Sequence, residues 1–289
     1  MKSLRQYIKE AGEKGIAIGH FNISNLETLH GIFNVAKKMN LPVIIGTAEG
    51  EKKYMGVKQA AALVKSFREE YDYPIFLNAD HAKSFESAKE CIDAGYDSFI
   101  IDGSSLPFED NIKMTKQCVE YARKVNPEIV IEGEIGFIGA SSKVLDKLPE
   151  GVKITEEFLT KPDEAKRFVE ETGVDMLAPA VGNIHGMLKG GIDPALNIKV
   201  VGNLRNALGK TPMVLHGASG NSKEDIQAAI KAGMSIVHIN TEIRVAFRNA
   251  LETELEERPD EVAPYKYMEN TIPAVEKVIE EKMRIFNFI

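Results

Sequence analysis

Histidines recur where short apolar segments of strand length end. Of the six histidines in the chain, the ones in this position are His20, His81, His185, His216 and His238. Because parallel strands in a closed barrel bring their C-terminal ends to one face, we expect these side chains to share a site. Three neutral imidazoles with one open coordination position suit a catalytic zinc ion. The pattern therefore predicts metal chemistry.

Carboxylates accompany these histidines. Asp80 directly precedes His81, so one side chain can bind a metal while the other faces a substrate beside it. The alternative is a capping aspartate next to a packed histidine. In the segment EGEIG, Glu132 and Glu134 alternate to the same side of a predicted strand. Buried carboxylates are costly unless they are paired or bind metal, which favours a functional role.

Glycines flank two of the histidines, in GNIHG and LHGASG. Glycine allows backbone to approach a ligand closely, and exposed N–H groups in such turns bind anions. Farther along, HINTEIR places Thr241 where a helix can begin, with backbone donors for a phosphate. Each segment is a weak signal alone, and together they indicate an anion-binding site suited to a phosphate.

The positioning elements are predicted from periodicity. Apolar segments rich in Ile, Val and Leu alternate with helical patterns, as expected for strands buried on both faces. The predicted strands cover residues 16–22, 42–47, 75–79, 98–102, 129–133, 176–181, 213–216 and 236–240. This order favours an α/β fold of the (β/α)8 TIM-barrel class, and a doubly wound open sheet is the alternative. We expect a single domain over 1–289, with an N-terminal helix at 1–15, the barrel at 16–258 and a C-terminal helical extension at 259–289.

Composition limits the partners. The chain has 289 residues, is 44% hydrophobic and has a formal charge of −7. Without a block of Lys and Arg, neither nucleic acid nor an anionic membrane is expected as a partner. Cys91 and Cys118 lie in helical patterns and fit packing roles in a reducing compartment. No apolar segment approaches the length of a membrane span or a signal peptide, so we expect a cytoplasmic protein.

The chain also resembles the class II, metal-dependent fructose-bisphosphate aldolases, a family of zinc TIM barrels that includes tagatose-bisphosphate aldolases. The resemblance runs in order through HFNISN, PVIIGTAEGE, NADHAKSFE, FIIDGSSLPFEDNI, EGEIG, PDEAKRFVEETGVDMLAPAVGNIHG, VLHGASG and INTEIR. It implies that His81, His185 and His216 hold the zinc, with Glu134 and Asp102 near enough to contact a metal that moves.

The resemblance further implies reversible cleavage of a ketose 1,6-bisphosphate, with fructose 1,6-bisphosphate favoured, through an enediolate that zinc stabilises. Asp80 is then the acid/base at the C4 hydroxyl, and Asn22 is an active-site asparagine. The implied ligands of the dihydroxyacetone phosphate group are Gly186, Gly217, Ser219, Asn240 and Thr241. Backbone carbonyls of Ile184, Gly186 and Gly217 would hold a monovalent cation, Na⁺ or K⁺. The expected assembly is a homodimer or a larger homo-oligomer.

Three departures from the family pattern bear on the substrate. Gly139-Ala140-Ser141-Ser142 replaces a Gly-Gly-Glu-Glu segment, which leaves Asp146 and Glu150 as candidates to move the C3 proton. Ala48, next to Thr47, stands where a phosphate-binding serine is usual, and His238 stands where an asparagine is usual. An imidazole at 238 facing the site would position the ketose or shuttle a proton, so His238 is a second catalytic candidate.

These departures keep three alternatives open. The first is an aldolase for tagatose 1,6-bisphosphate or a related sugar phosphate, and the second is a non-catalytic aldolase-like supporting subunit. The third is a metal hydrolase on the same fold, which would not need a phosphate site. Arg244, Arg248 and Lys266 are candidates for contact with a distal phosphate.

Overall fold

The computed structural model describes residues 1–139, 142–148, 150–152, 154–190 and 193–289. Parallel strands close into a barrel in the order β1-β10-β9-β7-β5-β4-β3-β2, which confirms the TIM-barrel prediction over the open sheet. The strands are β1 (Ile18–Asn22), β2 (Val43–Ala48), β3 (Ile75–Ala82), β4 (Ser98–Ile101), β5 (Val130–Ile135), β6 (Val144–Leu145), β7 (Met176–Pro179), β8 (Met187–Leu188), β9 (Met213–Leu215) and β10 (Met234–Ile239).

Helices follow the barrel strands and cover the outside of the barrel. They are α1 (Leu4–Lys14), α2 (Leu26–Met39), α3 (Glu49–Met55), α4 (Val57–Tyr71), α5 (Phe85–Asp93), α6 (Phe108–Val125), α7 (Pro162–Thr172), α8 (Ile198–Leu208), α9 (Lys223–Lys231), α10 (Thr241–Glu257), α11 (Pro264–Tyr267) and α12 (Thr271–Asn287). Side-chain caps begin several of them: Asn25, Ser84 and Ser222 each accept a hydrogen bond from a backbone N–H of the first turn. Such caps satisfy donors that a helix otherwise leaves unpaired.

Helix α1 closes the N-terminal end of the barrel. Its buried face, formed by Leu4, Ile8 and Ala11, packs with inward-facing strand residues such as Ile44 and Phe76. This cluster places apolar side chains at the N-terminal end of the barrel interior. The side chains that follow the strands lie at the opposite, C-terminal end, where barrel enzymes have their sites.

The C-terminal helix α12 belongs to the helical layer around the barrel. It packs against α2 and α10, and Val275, Ile279 and Phe286 on its inner face are fully buried. The backbone carbonyl of Phe286 accepts a hydrogen bond from the N–H of Ala17, just before β1. Helix α12 also contacts β1 directly, so it covers the outside of the first barrel strand.

Two loops at the C-terminal end are joined by a small sheet. Strand β6, in the loop after β5, pairs in parallel with β8, in the segment after β7, through Val144 with Met187 and Leu145 with Leu188. This pairing attaches the loop that follows β5 to the segment that carries His185.

The two cysteines lie in the interior of the protein. Cys91 and Cys118 are buried free thiols, and burial raises their pKa values to about 11 and about 12. They pack in the hydrophobic core. Within the described residues, no helix combines the length and apolar character that crossing a membrane requires.

Candidate active site

A pocket opens at the C-terminal end of the barrel, and residues from many predicted site segments line it. It is bounded by Asn22, Asp80, His81, Ser142, His185, Gly186, His216, Gly217, Ser219, His238, Asn240 and Thr241. The structure thus brings the predicted catalytic, phosphate-binding and histidine residues to one place. Asp102 and Glu134, the other predicted metal ligands, lie beside His81.

A β-bulge in β3 turns two adjacent side chains into this pocket. Ala79 pairs with Phe99 of β4 and Ala82 pairs with Ile101, so β3 has one more residue between the two pairs than β4 has. His81 within the bulge has φ 53°, a left-handed conformation that few non-glycine residues adopt. In a regular strand, Asp80 and His81 would point to opposite faces. The extra residue is what allows both to reach the site.

Three histidines form a set that fits a metal ion. One ring nitrogen from each of His81, His185 and His216 lies within 4.8 Å of the others. The Nε2 atom of His185 is buried and has no hydrogen-bond partner among the described residues. Burial and the nearby imidazoles lower the pKa of His185 well below its usual range and that of His216 to about 4. Both rings are therefore neutral near pH 7, the state that binds a divalent cation.

His81 differs because carboxylates surround it. Its Nδ1 lies 2.9 Å from Asp102 Oδ2 and 3.0 Å from Glu134 Oε2. Burial disfavours the imidazolium, but Asp80 and Glu134 raise the pKa of His81 well above its usual range. The same carboxylates that stabilise a proton here would stabilise a cation. Lys83 pairs with Asp102 from the outside.

Two further histidines, His20 and His238, lie next to the metal-binding set and contact it through His216. His216 Nε2 is 2.7 Å from Glu132 Oε1, and burial raises the pKa of Glu132 well above its usual range. The ring of His238 lies 3.8 Å from that of His216 and stacks on His20 at 3.4 Å, with an angle of 4° between the His20 and His238 planes. A single metal ion cannot lie in the planes of two parallel rings that far apart. The His20–His238 pair is thus suited to packing and hydrogen bonding rather than to joint metal coordination.

Asp80 stands at the centre of the polar groups. Asn22 Nδ2 donates to Asp80 Oδ2 at 2.8 Å, and His238 Nδ1 lies 3.5 Å from Asp80 Oδ1. Burial opposes ionisation of Asp80, but the imidazoles of His81 and His238 hold its pKa well below its usual range. Asp80 is therefore an ionised carboxylate with one oxygen, Oδ1, left without a hydrogen bond.

Glycine turns and the start of α10 form one wall of the pocket. This glycine wall consists of Gly186, Gly217, Ser219, Asn240 and Thr241. Gly186 and Gly217 have φ angles of 103° and 60°, which glycine adopts without strain. Ser219 is buried beside them, and α10 begins at Thr241 in the same pocket. Exposed N–H groups at a helix start and in glycine turns are the donors that bind phosphate.

The close approach at Gly217 supports a prediction. A Cβ atom added there would lie 2.1 Å from the carbonyl oxygen of Ile184, in a backbone conformation that alanine disfavours. We expect Gly217→Ala to displace the segment around His185, lower kcat/KM at least about tenfold and destabilise the fold by about 1–3 kcal/mol. Steady-state kinetics and thermal unfolding measure both effects. Gly202→Ala, at a half-buried position on α8 with open space around its Cβ, is the control and should leave activity unchanged.

Sequence reasoning did not single out several polar residues of the site. Glu51 is buried and hydrogen bonds to Asn22, and Asn183 donates to the carbonyl of His216. The position of Glu51 just after β2 was the available signal, since polar residues after barrel strands belong to the C-terminal face.

The departures from the family pattern fall in different places. Thr47 is fully buried and contacts the Tyr96 hydroxyl, so its side chain does not line the pocket. Asp146 and Glu150 are exposed and lie outside the pocket lining. Ser142 lines the pocket, whereas Ala140 and Ser141 lie outside the described residues.

Comparisons with known proteins identify the family to which this chain belongs. The family described as fructose-bisphosphate aldolase class-II matches residues 2–289. A fructose-bisphosphate aldolase of Geobacillus stearothermophilus is 37% identical over 98% of this chain and 96% of its own length. One of Staphylococcus aureus is 34% identical over the same shares. The crystal structure of the YdjI aldolase from Escherichia coli K12 superimposes with a TM-score of 0.82 at 31% identity, covering 98% of this chain and 96% of that one. On this basis the chain belongs to the class II fructose-bisphosphate aldolase family.

Proposed function

We propose that this protein cleaves a ketose 1,6-bisphosphate reversibly to dihydroxyacetone phosphate and glyceraldehyde 3-phosphate. Fructose 1,6-bisphosphate is the first candidate because relatives that match 98% of this chain are named fructose-bisphosphate aldolase. The observation that carries the proposal is the convergence of the histidine triad, the ionised Asp80 and the glycine-lined wall in one pocket.

In this proposal one zinc ion per subunit is bound by His81, His185 and His216. Two carboxylates next to His81, Glu134 and Asp102, are further ligands for a metal that moves within the site. The orphaned His185 Nε2 and the neutral rings support that assignment. Once bound, a divalent cation supplies Lewis acidity to the ketose carbonyl. A monovalent cation near the carbonyls of Ile184, Gly186 and Gly217 remains part of the proposal.

Asp80 performs the proton transfer at C4. Its free oxygen, Oδ1, accepts the proton of the C4 hydroxyl, the C3–C4 bond breaks, and the aldehyde leaves. The electrons of that bond move toward the C2 carbonyl oxygen, and C3 later takes a proton to complete dihydroxyacetone phosphate. Asn22 holds Asp80 in place by its hydrogen bond to Oδ2. His238 lies next to the other oxygen, Oδ1, which also receives the C4 hydroxyl, so His238 orients both the substrate and the base.

The phosphate of the dihydroxyacetone half of the substrate binds the glycine wall. Gly186, Gly217 and Ser219 supply donors from two loops, and Asn240 and Thr241 supply them at the start of α10. A hydrolase using a metal-bound water would have no need of this wall, and a supporting subunit would have no need of Asp80 with the histidine triad. We propose a cytoplasmic homo-oligomer for the active form.

The proposal is tested by assaying zinc-loaded protein for release of dihydroxyacetone phosphate from fructose 1,6-bisphosphate and tagatose 1,6-bisphosphate. We expect chelator-sensitive cleavage of at least one sugar, restored by zinc. The preferred epimer identifies the substrate. Failure to cleave either sugar with zinc bound would exclude this function.

A further inference from the structure

A second cleft adjoins the catalytic pocket. It shares Asn22 and Asn240 with that pocket and extends toward the start of α2, where Ser24, Asn25 and Thr28 line it. Asn22 separates this side cleft from Asp80, to which it donates a hydrogen bond. Because Asn22 lines this cleft and hydrogen bonds to Asp80, the cleft adjoins the position that C4 takes in the proposed reaction. The side cleft is the space available for the distal end of the ketose.

Glu51 is the buried anchor of this cleft. Its side chain is 6% exposed. Oε2 accepts hydrogen bonds from Asn22 Nδ2 at 2.9 Å and from the N–H of Ala48 at 2.7 Å. Oε1 pairs with Arg244 Nη2 at 2.5 Å and lies 3.5 Å from Asn240 Nδ2. One carboxylate thus holds side chains from β1, α10 and the residue before α10.

Arg244 is the matching cation, and its charge is offset by Glu51. Its other terminal nitrogen, Nη1, donates to the carbonyl of Ser142 at 3.1 Å. The other two candidates for a distal phosphate lie elsewhere: Arg248 is 76% exposed and pairs with Glu252, and Lys266 pairs with Glu261. Over the described residues, the lining of the side cleft contains two charged side chains, Glu51 and Arg244, so its formal charge is zero.

We propose that Glu51 is a specificity-determining residue that admits ketose 1-phosphates with an uncharged, hydroxylated distal end, alongside 1,6-bisphosphates. This inference rests on the proposed function. A distal phosphate needs net positive charge, which Arg244 alone would provide and Glu51 cancels. A carboxylate and the polar side chains Ser24, Asn25 and Thr28 provide instead the acceptors and donors that sugar hydroxyls use.

The test compares kcat/KM for fructose 1,6-bisphosphate with that for fructose 1-phosphate, because the two sugars differ only in the distal phosphate. For the wild-type enzyme we expect a ratio below about tenfold, since the net-neutral cleft gives the phosphate little advantage. Glu51→Gln removes the negative charge and keeps the side-chain size. It should raise the ratio by about tenfold, the equivalent of about 1.4 kcal/mol. Effects that reach Asp80 through Asn22 act on the step common to both substrates and cancel in the ratio.

Matched variants separate charge from shape. Glu51→Asp keeps the charge and should leave the ratio within about twofold of wild type, while Arg244→Gln should lower it. Bound zinc and circular dichroism establish that each variant is folded. An equal change for both substrates in Glu51→Gln, or a wild-type ratio above about 1,000, would overturn the specificity role while leaving the aldolase proposal intact. Failure of the wild-type enzyme on both sugars with zinc bound would instead overturn the aldolase proposal and this inference with it.

Discussion

Replacement of His185 by alanine should abolish metal binding and, with it, aldol cleavage. His185 contributes one of the three nitrogens that lie within 4.8 Å of one another, and its Nε2 has no other partner among the described residues. Loss of a partner that only supports a metal ligand costs about 10–100-fold in affinity, so loss of a ligand itself should cost at least about 100-fold. Zinc titration monitored by competition with a chromophoric chelator measures this change, and kcat follows it.

The control is His30→Ala. His30 lies on α2, outside the pocket, with its ring 5.3 Å from that of Phe67. This variant should bind zinc with wild-type affinity. Tight, stoichiometric zinc binding by His185→Ala would contradict the assignment of the triad, and retained cleavage without bound metal would contradict the metal-dependent mechanism.

Replacement of Asp80 by asparagine should remove most of the catalytic rate while sparing the metal. An amide has nearly the volume of the carboxylate and can still accept from Asn22, but it cannot take the C4 proton. Loss of a general base costs about 10²–10⁴-fold in kcat. KM should change little, because Asp80 contacts Asn22 and His238 and not the residues of the glycine wall that bind the phosphate. Steady-state kinetics on fructose 1,6-bisphosphate, together with zinc content, measure the two quantities separately.

Asp97→Asn is the matched control for this second substitution. Like Asp80, Asp97 accepts a hydrogen bond through its carboxylate, here from Leu77 N–H at 2.7 Å, and it pairs with Arg68, but it precedes β4 at the N-terminal end of the barrel. We expect it to lower thermal stability without lowering kcat. A kcat for Asp80→Asn within about tenfold of wild type would assign the base to another residue.

Much of the architecture was predictable because its signals are local. Buried parallel strands are continuous apolar segments, and the side chains that follow them necessarily meet at one end of a closed barrel. Strand ends alone predicted that His20, His81, His185, His216 and His238 share a site, and the family resemblance singled out His81, His185 and His216, whose ring nitrogens do lie within 4.8 Å of one another. Ser84 likewise marks a helix start by chemistry that acts within one turn.

Other features depend on contacts that no local pattern encodes. The bulge at Asp80 and His81 arises from register with β4, which depends on how two distant segments pair. The role of Glu51 emerges only when Asn22 and Arg244 meet it from the first and last strand–helix units. Periodicity predicted α12 as a helix but could not show that it covers β1, since an amphipathic pattern names no partner.

The position of α12 has a consequence for how the chain reaches its native state. The first barrel strand is paired with β10 and covered by α12, both contributed by the far end of the sequence. Closure therefore requires contacts of very large sequence separation, which slow folding because loop entropy is lost before they form. During synthesis, the edge of β1 that pairs with β10 stays unpaired until β10 and α12 have been made. Chaperone dependence and aggregation of nascent chains should thus be sensitive to changes in α12, far from any residue that touches substrate.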